Sequence, residues 1–258
     1  MLDELFPFDI LADMHTHTVA SKHAYSTLME NLTSAERNGM KFLAVTDHYF
    51  GNGDDIERKN EVARIAYLGK CVEGLNNPIN VRVIPGCEFN LGQEIYNRDK
   101  VMKNLKWKVI GLHTWFVNVE QISFESYYQL FENAARDGFT TFAHIEREMH
   151  RILYGFGQNH FDDCVEAMQR VVDLAVNSGI ILEVNESSLR VNDGGAAERL
   201  RAWLAYAKSK NALICLGTDA HFCGEVGRFD NAIALLNQLE YPRDRILNCN
   251  EQLLREYA

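Results

Sequence analysis

A chain of 258 residues, 47% hydrophobic and 24% charged, is long enough for one large core and lies far from disordered or fibrous compositions. Its formal charge of −10 argues against non-specific attachment to duplex nucleic acid or anionic lipid, because such a surface repels polyanions on average. The six cysteines are scattered without a Cys-x-x-Cys pair, which argues against a disulfide framework or a thiolate zinc site.

The first apolar run, Ile10 to Met14, reads as a strand. It leads into a stretch where Leu28, Leu32 and Ala35 recur at helical spacing and Gly39 supplies the stop. Strand Phe42 to Thr46 and an amphipathic segment from Asp54 to Leu75 follow. Then come strands Val81 to Pro85 and Val109 to Leu112, helix Phe124 to Asp137, strand Thr141 to Ala143 and helix Asp162 to Ser178. Strand Ile180 to Val184, helix Glu198 to Lys208, strand Leu213 to Leu216 and helix Asn231 to Leu239 close the chain. Repeated strand–helix alternation predicts a parallel sheet, closed or doubly wound. No Pro/Ser-rich linker interrupts it, so residues 1–258 read as a single domain. The N-terminal MLDELFPFDI lacks the basic flank and apolar run of a signal peptide, and no stretch approaches the ~20 apolar residues that span a bilayer. A soluble cytoplasmic protein without a membrane partner is expected.

His15, His48, Glu88, His113, His144 and Asp219 each fall just past the last apolar residue of a different predicted strand, and the sixth strand ends at Asn185 and Glu186. In a parallel α/β barrel those ends converge on one mouth, whereas an open sheet spreads them along a line. Their shared chemistry therefore favours the barrel. His15 and His17, two apart on an extended chain, point the same way. His23, Asp47-His48, Glu88, His113, His144 and Asp219-Ala220-His221 add imidazoles and carboxylates without a thiolate, a set suited to zinc, manganese or iron. A single histidine at a strand end is most often a half-buried hydrogen-bonding residue, and a single Asp a helix cap. For the whole set that explanation needs many independent coincidences. So many candidates imply more than one ion.

With His15-x-His17-x5-His23, Thr46-Asp47-His48, Gly86-x-Glu88, His113, Ala143-His144, Glu183-x-Asn185 and Thr218-Asp219-Ala220-His221 in this order, the chain resembles the PHP (polymerase and histidinol phosphatase) superfamily, in particular its small stand-alone phosphatases. The resemblance implies a distorted seven-stranded (β/α)7, TIM-like barrel with a trinuclear centre of zinc, or of manganese or iron. Carried over, one ion takes His15, His17, Glu88 and Asp219. A second shares Glu88 and adds His113 and His144. A third takes His23, His48 and His221, with Asp47 supporting from behind. The implied activity is hydrolysis of a small phosphate monoester by a metal-bridging hydroxide. Glu88 and Asp219 are the acids nearest the chemistry, and Asp219 or Glu146 are candidates to protonate the leaving group.

Rival readings are a 3′–5′ exonuclease or nucleotide phosphodiesterase, an amidohydrolase-type barrel, and a non-catalytic metal-binding regulatory module. The charge and the lack of a basic groove weigh against the nuclease, and His113, where the amidohydrolase pattern wants a lysine, against the second. The filled ligand set weighs against the third. Two departures from the family pattern, Tyr49-Phe50 after His48 and Ile145-Glu146-Arg147 after His144, bear on substrate range. Arg147, Arg190 and Lys22 are candidates to grip a phosphate, against the commoner fate of a solvated ion pair. Tyr49, Phe50, Trp115 and Phe116 are candidates to wall a pocket, although packing at the rim is the usual role of such rings. His150 and His160 match no ligand position.

Overall fold

The alternation is realised in the computed structural model as seven parallel strands hydrogen-bonded in chain order. They are β1 (Ala12–Thr16), β2 (Phe42–Val45), β3 (Arg82–Asn90), β4 (Trp107–Gly111), β5 (Thr141–Phe142), β6 (Ile181–Asn185) and β7 (Ile214–Gly217). The structure describes residues 9–51, 53–74, 79–114, 118, 122–149, 152, 161–190 and 195–258. Trp115, Phe116, His150 and His160 lie outside them.

Helices fill the connections where the apolar spacing placed them: α1 (Leu28–Arg37), α2 (Asp55–Gly74), α4 (Phe124–Arg136), α5 (Phe161–Ser178), α7 (Ala196–Ser209) and α8 (Asp230–Gln238). Short helices α3 (Arg98–Lys103), α6 (Glu186–Arg190) and α9 (Glu251–Leu254) carry too few turns to show a period in sequence. Helix α1 starts on a capping box, in which the Thr27 side chain accepts from Glu30 N–H and the Glu30 carboxylate accepts from Thr27 N–H. No helix among the described residues is long and apolar enough to cross a membrane.

Alternate strand residues serve two apolar layers. Leu43, Val45, Phe89, Ile110, Phe142, Leu182 and Leu216 pack outward with the helices. Ala12, Met14, Phe42, Ala44, Ile84, Trp107, Val109, Ile181 and Cys215 form a second cluster with Leu247 and Leu254 from the C-terminal turns, filling the barrel below the site. Filling the lower barrel with side chains leaves the strand ends as the place for polar groups.

Three strands depart from the sequence reading by two residues or more at one end or both; β4 starts at Trp107 and not Val109, and the other two departures shape the site. β3 runs on through Pro85-Gly86 to Asn90, because its first half pairs with β2 and its second half, from Gly86, pairs with β4. Pro85 sits at this handover, where a missing N–H is tolerated. β1 is shifted toward the C-terminus, so His15 lies within it. Its register against β2 slips between Asp13 and Thr16, with three steps on β1 against two on β2. This bulge reverses the alternation, so that Met14 and His15 both face the interior.

The barrel closes between β7 and β1 by a different device. A parallel bridge joins Thr16 to Ala220, the His17 N–H donates to Ala220 O, and the Asp219 N–H donates to His15 O. Lower down, the Asn248 amide donates to Ala12 O and Leu216 O and accepts from the Leu216 N–H, standing in for ladder bonds across the seam. The Asp13 carboxylate accepts from the Thr218 N–H and hydroxyl, the Gly227 N–H and the His15 N–H.

Candidate metal centre

Glu88 stands at the middle of the mouth, 1% exposed, with five imidazoles turned toward its two oxygens. Oε1 lies 2.9 Å from His144 Nε2 and 3.1 Å from His113 Nε2. Oε2 lies 3.2 Å from His15 Nε2, 3.4 Å from His17 Nε2 and 3.0 Å from His48 Nδ1. The Asp219 carboxylate approaches from β7, with Oδ1 3.1 Å from His17 Nε2 and 3.7 Å from His15 Nε2. His23 and His221, half-buried at the edge, face each other through their Nε2 atoms at 2.8 Å. Seven of the nine histidines thus share one mouth.

The far nitrogens of the imidazoles are held from behind. His15 Nδ1 meets Glu183 Oε1 at 2.6 Å, His17 Nδ1 meets the Ser21 hydroxyl at 3.0 Å, and His113 Nδ1 meets Asn90 Oδ1 at 3.2 Å. His221 Nδ1 lies 2.9 Å from Asp219 O. Such bonds fix which nitrogen carries the proton and which presents a lone pair. Room for the rings comes from missing side chains. A Cβ on Gly111 would collide with the His144 ring, and one on Gly217 with Glu183 and His15. His144 (φ 33°) and Asp219 (φ 56°) adopt left-handed backbone, strain of about 1–3 kcal/mol each of the kind that collects at functional sites.

The charge states suit cation binding. Burial lowers His17 to about 3 and His144 to about 4, so both are neutral donors at pH 7. Burial by itself would raise Glu88, yet His15, His48 and His113 hold it well below the usual carboxylate range. Burial also opposes ionisation of Asp219, but Arg147, His15 and His17 hold it well below its ordinary value. Burial likewise disfavours a charged His15, but Glu183, Glu88 and Asp219 push it well above its ordinary value. A dication would take over that role. Three atoms test the fit: His15 Nε2, Glu88 Oε2 and His144 Nδ1 are buried and make no hydrogen bond. Two of them face the centre of the cluster. Leaving such atoms unsatisfied costs about 1–3 kcal/mol each, and a cation between carboxylate and imidazole lone pairs removes that cost. The residues fit a divalent cation with N and O ligands.

Three groups have donor atoms close enough to share an ion: His15, His17, Glu88 and Asp219; His48, Glu88 and His113; and His17, His48 and His221. The first matches the sequence expectation. The other two redistribute it, with His48 also serving the middle group, His144 bonded to Glu88 beside it, and His23 reaching the third group through His221. Asp47 lies behind the ligands, accepting from the Thr18 N–H, the Thr18 hydroxyl and the Ser21 hydroxyl.

Several candidates read differently in three dimensions. Glu146 is buried beneath α7, where Oε2 accepts from Trp203 Nε1 at 3.0 Å, so it does not reach the mouth as an acid. Asp219 is held ionised, with no proton to give at neutral pH, and its Oδ1 faces His17 and His15. Arg147 Nη2 donates to Asp219 Oδ2 at 2.8 Å and Asn185 Oδ1 at 3.0 Å, which sets its guanidinium at the site. Arg190 instead bonds Glu186, the Arg228 carbonyl and Glu225. Lys22 lies over the Phe50 ring at 4.4 Å. Tyr49 is buried against Phe89, its hydroxyl accepting from the Tyr96 N–H. Glu183 was part of a motif but had no assigned task. Its signal was a lone acid inside the apolar run Ile180 to Val184.

A model of the PHP domain matches residues 13–187. The chain belongs to the PHP domain family. Among curated relatives, a probable phosphatase of Caldanaerobacter subterraneus subsp. tengcongensis is 28% identical over 96% of this chain and 91% of its own length. A probable phosphatase of Shigella dysenteriae serotype 1 is 26% identical over 95% and 92%. The PHP barrel here also superposes on the histidinol phosphate phosphatase of Lactococcus lactis, solved with zinc, L-histidinol and phosphate, with a TM-score of 0.57, 15% identity, and coverage of 89% of this chain and 92% of that one.

Proposed function

We propose that this metal-dependent phosphoesterase hydrolyses small phosphate monoesters on a centre of three divalent cations, with zinc the favoured ion. The observation that carries the reading is the single Glu88 carboxylate ringed by five imidazoles, with His15 Nε2 and Glu88 Oε2 buried and unsatisfied between them. His15, His17, Glu88 and Asp219 would hold one cation. Glu88 and His113 would hold a second with His144 or His48, and His48 and His221 a third with His17 or His23. When bound, clustered cations acidify water toward neutrality and neutralise the charge of an in-line phosphoryl displacement.

The chain's own residues orient that chemistry. Asp219 and Asn185 hold the Arg147 guanidinium beside the ligands, where its geometry suits a phosphoryl oxygen. Glu183 holds His15 from behind, and the buried apolar layer beneath keeps water from entering the site through the barrel. The formal charge of −10 favours a small substrate over a polynucleotide, in keeping with the probable-phosphatase names of the relatives and the histidinol and phosphate bound to the Lactococcus neighbour.

Elemental analysis of protein purified without chelator should give two to three transition-metal ions per chain. On such protein kcat/KM for monoesters should exceed that for single-stranded oligonucleotides at physiological salt. A metal content below one that reconstitution does not restore, or a clear preference for single-stranded DNA, overturns the reading.

A further inference from the structure

Ser21 takes no part in the ligand assignments, yet it is fully buried beneath two of the ligands. Its hydroxyl makes three contacts: Asp47 Oδ1 at 2.7 Å, His17 Nδ1 at 3.0 Å and the His48 backbone nitrogen at 3.1 Å. A hydroxyl offers one proton and two lone pairs. Two of the three partners leave it no choice. The His48 N–H can only donate, so it occupies one lone pair. The Asp47 carboxylate accepts from the Thr18 N–H and hydroxyl at 2.7 and 2.8 Å and faces Arg64 at 3.9 Å. Ringed by donors, it receives the Ser21 proton. Only a lone pair remains for His17, so His17 Nδ1 must bring the hydrogen. Its Nε2 then turns a lone pair toward Asp219 at 3.1 Å and Glu88 at 3.4 Å, two acceptors it can share only with a cation or, without one, with a second proton.

We infer that Ser21 is a positioning residue that relays the charge of Asp47 to fix His17 as its Nδ1–H tautomer, presenting Nε2 to the cations. The inference rests on His17 being a ligand. His15 and His113 are each held by a single acceptor, Glu183 and Asn90, that serves one ring. Ser21 instead ties the His17 ring, after β1, to the His48 backbone, after β2, through one oxygen. Removing the oxygen frees His17 to flip or change tautomer, takes one acceptor from the His48 N–H and leaves Asp47 Oδ1 with the Thr18 N–H.

The test is the tautomer itself, read from two-bond 1H–15N spectra of the zinc-loaded, 15N-histidine-labelled protein. Wild-type His17 should show a protonated, pyrrole-type Nδ1 and a zinc-bound Nε2. In metal-free Ser21→Ala that Nδ1 proton should be lost, leaving a proton on Nε2 beside Asp219 Oδ1, and the affinity for one zinc equivalent should fall roughly 10–100-fold, the range for removing a group that orients a ligand. Ser21→Thr, which keeps the hydroxyl, should retain the wild-type spectrum and affinity. An unprotonated Nδ1 in the wild type overturns the inference. So does a Ser21→Ala variant with wild-type zinc affinity, or equal losses in Ser21→Ala and Ser21→Thr that follow the melting temperature of the metal-free protein, the mark of a purely structural role. If the wild type binds no zinc, the metal reading fails separately. The metal-free spectrum still decides this one, because the bonds to Asp47 and His48 demand a proton on Nδ1 whichever state Nε2, 3.1 Å from Asp219 Oδ1, adopts without an ion.

Discussion

Gly217 offers a way to disturb the site without touching a ligand. A Cβ there would lie 2.5 Å from His15 Cβ, and closer still to Glu183 Oε1, whereas ordinary contact begins at 3.4 Å. In Gly217→Ala His15 must therefore give way by about 0.9 Å and the Glu183 carboxylate by more, and both residues sit on strands whose backbones are fixed on either side. Overpacking of this kind costs about 1–3 kcal/mol of stability. The larger effect should fall on the cations. Displacing the carboxylate that orients a ligating imidazole costs roughly 10–100-fold in metal affinity, or about 1.4–2.7 kcal/mol. The assay is zinc competition against a chromophoric chelator, alongside thermal melts of the metal-free protein. Gly69→Ala is the control, since its Cβ meets nothing nearer than 3.4 Å in the middle of α2 and should stabilise by about 0.5–1 kcal/mol. Wild-type zinc affinity in Gly217→Ala would refute the claim that the closeness of Glu183 and His15 shapes the site.

Glu183→Gln keeps the shape but removes the charge behind His15 Nδ1, so zinc affinity measured by the same competition should fall roughly 10–100-fold. Its effect should not add to that of Gly217→Ala, because both act on one pair. Asn248→Ala removes three bonds across the β1–β7 seam and should cost about 2–4 kcal/mol in urea unfolding of the metal-free protein. Burial pushes the Asp13 carboxyl up to about 6, above its unfolded value near 3.8. The folded chain therefore binds an extra proton between pH 4 and 6, and that contribution to stability is lost as pH rises through 6. The melting-temperature advantage of wild type over Asp13→Asn should narrow across this window in metal-free protein. A gap that widens with pH would mean that the four donors keep Asp13 ionised throughout.

What the sequence made legible was the placing of chemistry at strand ends, since a histidine or acid directly after an apolar run shows in one dimension. His48, His113, His144 and Asp219 all lie where that rule put them. The facing of individual residues was less legible. Strict alternation would send Met14 and His15 to opposite sides, and only the bulge opposite β2 turns both inward. The third strand seemed to stop at Pro85 because Pro and Gly read as breakers, yet the chain changes partner there and continues to Asn90. Glu146, two residues past His144, looked equally close to the mouth, but the left-handed turn at His144 sends it under α7 to Trp203. The division of ligands among ions was hidden for a different reason. His17 and His48 stack at 4.5 Å between two groups, a spatial fact that no spacing along the chain encodes.

The seam between β7 and β1 sets an order of events for a newly made chain. Asn248 bonds the carbonyl of Ala12, a contact that spans 236 positions, and Asp219 and His221 meet His15 and His17 only across the same junction. Closing so long a loop carries a high entropic cost and is slow, so contacts of this kind form late. A ribosome-bound chain still lacking residues 248–258 holds Glu88, His113 and His144 but has no amide to close its ladder. A protein whose C-terminal turns are clipped should therefore lose the alignment of its mouth, and any cation affinity with it, before it loses its helices.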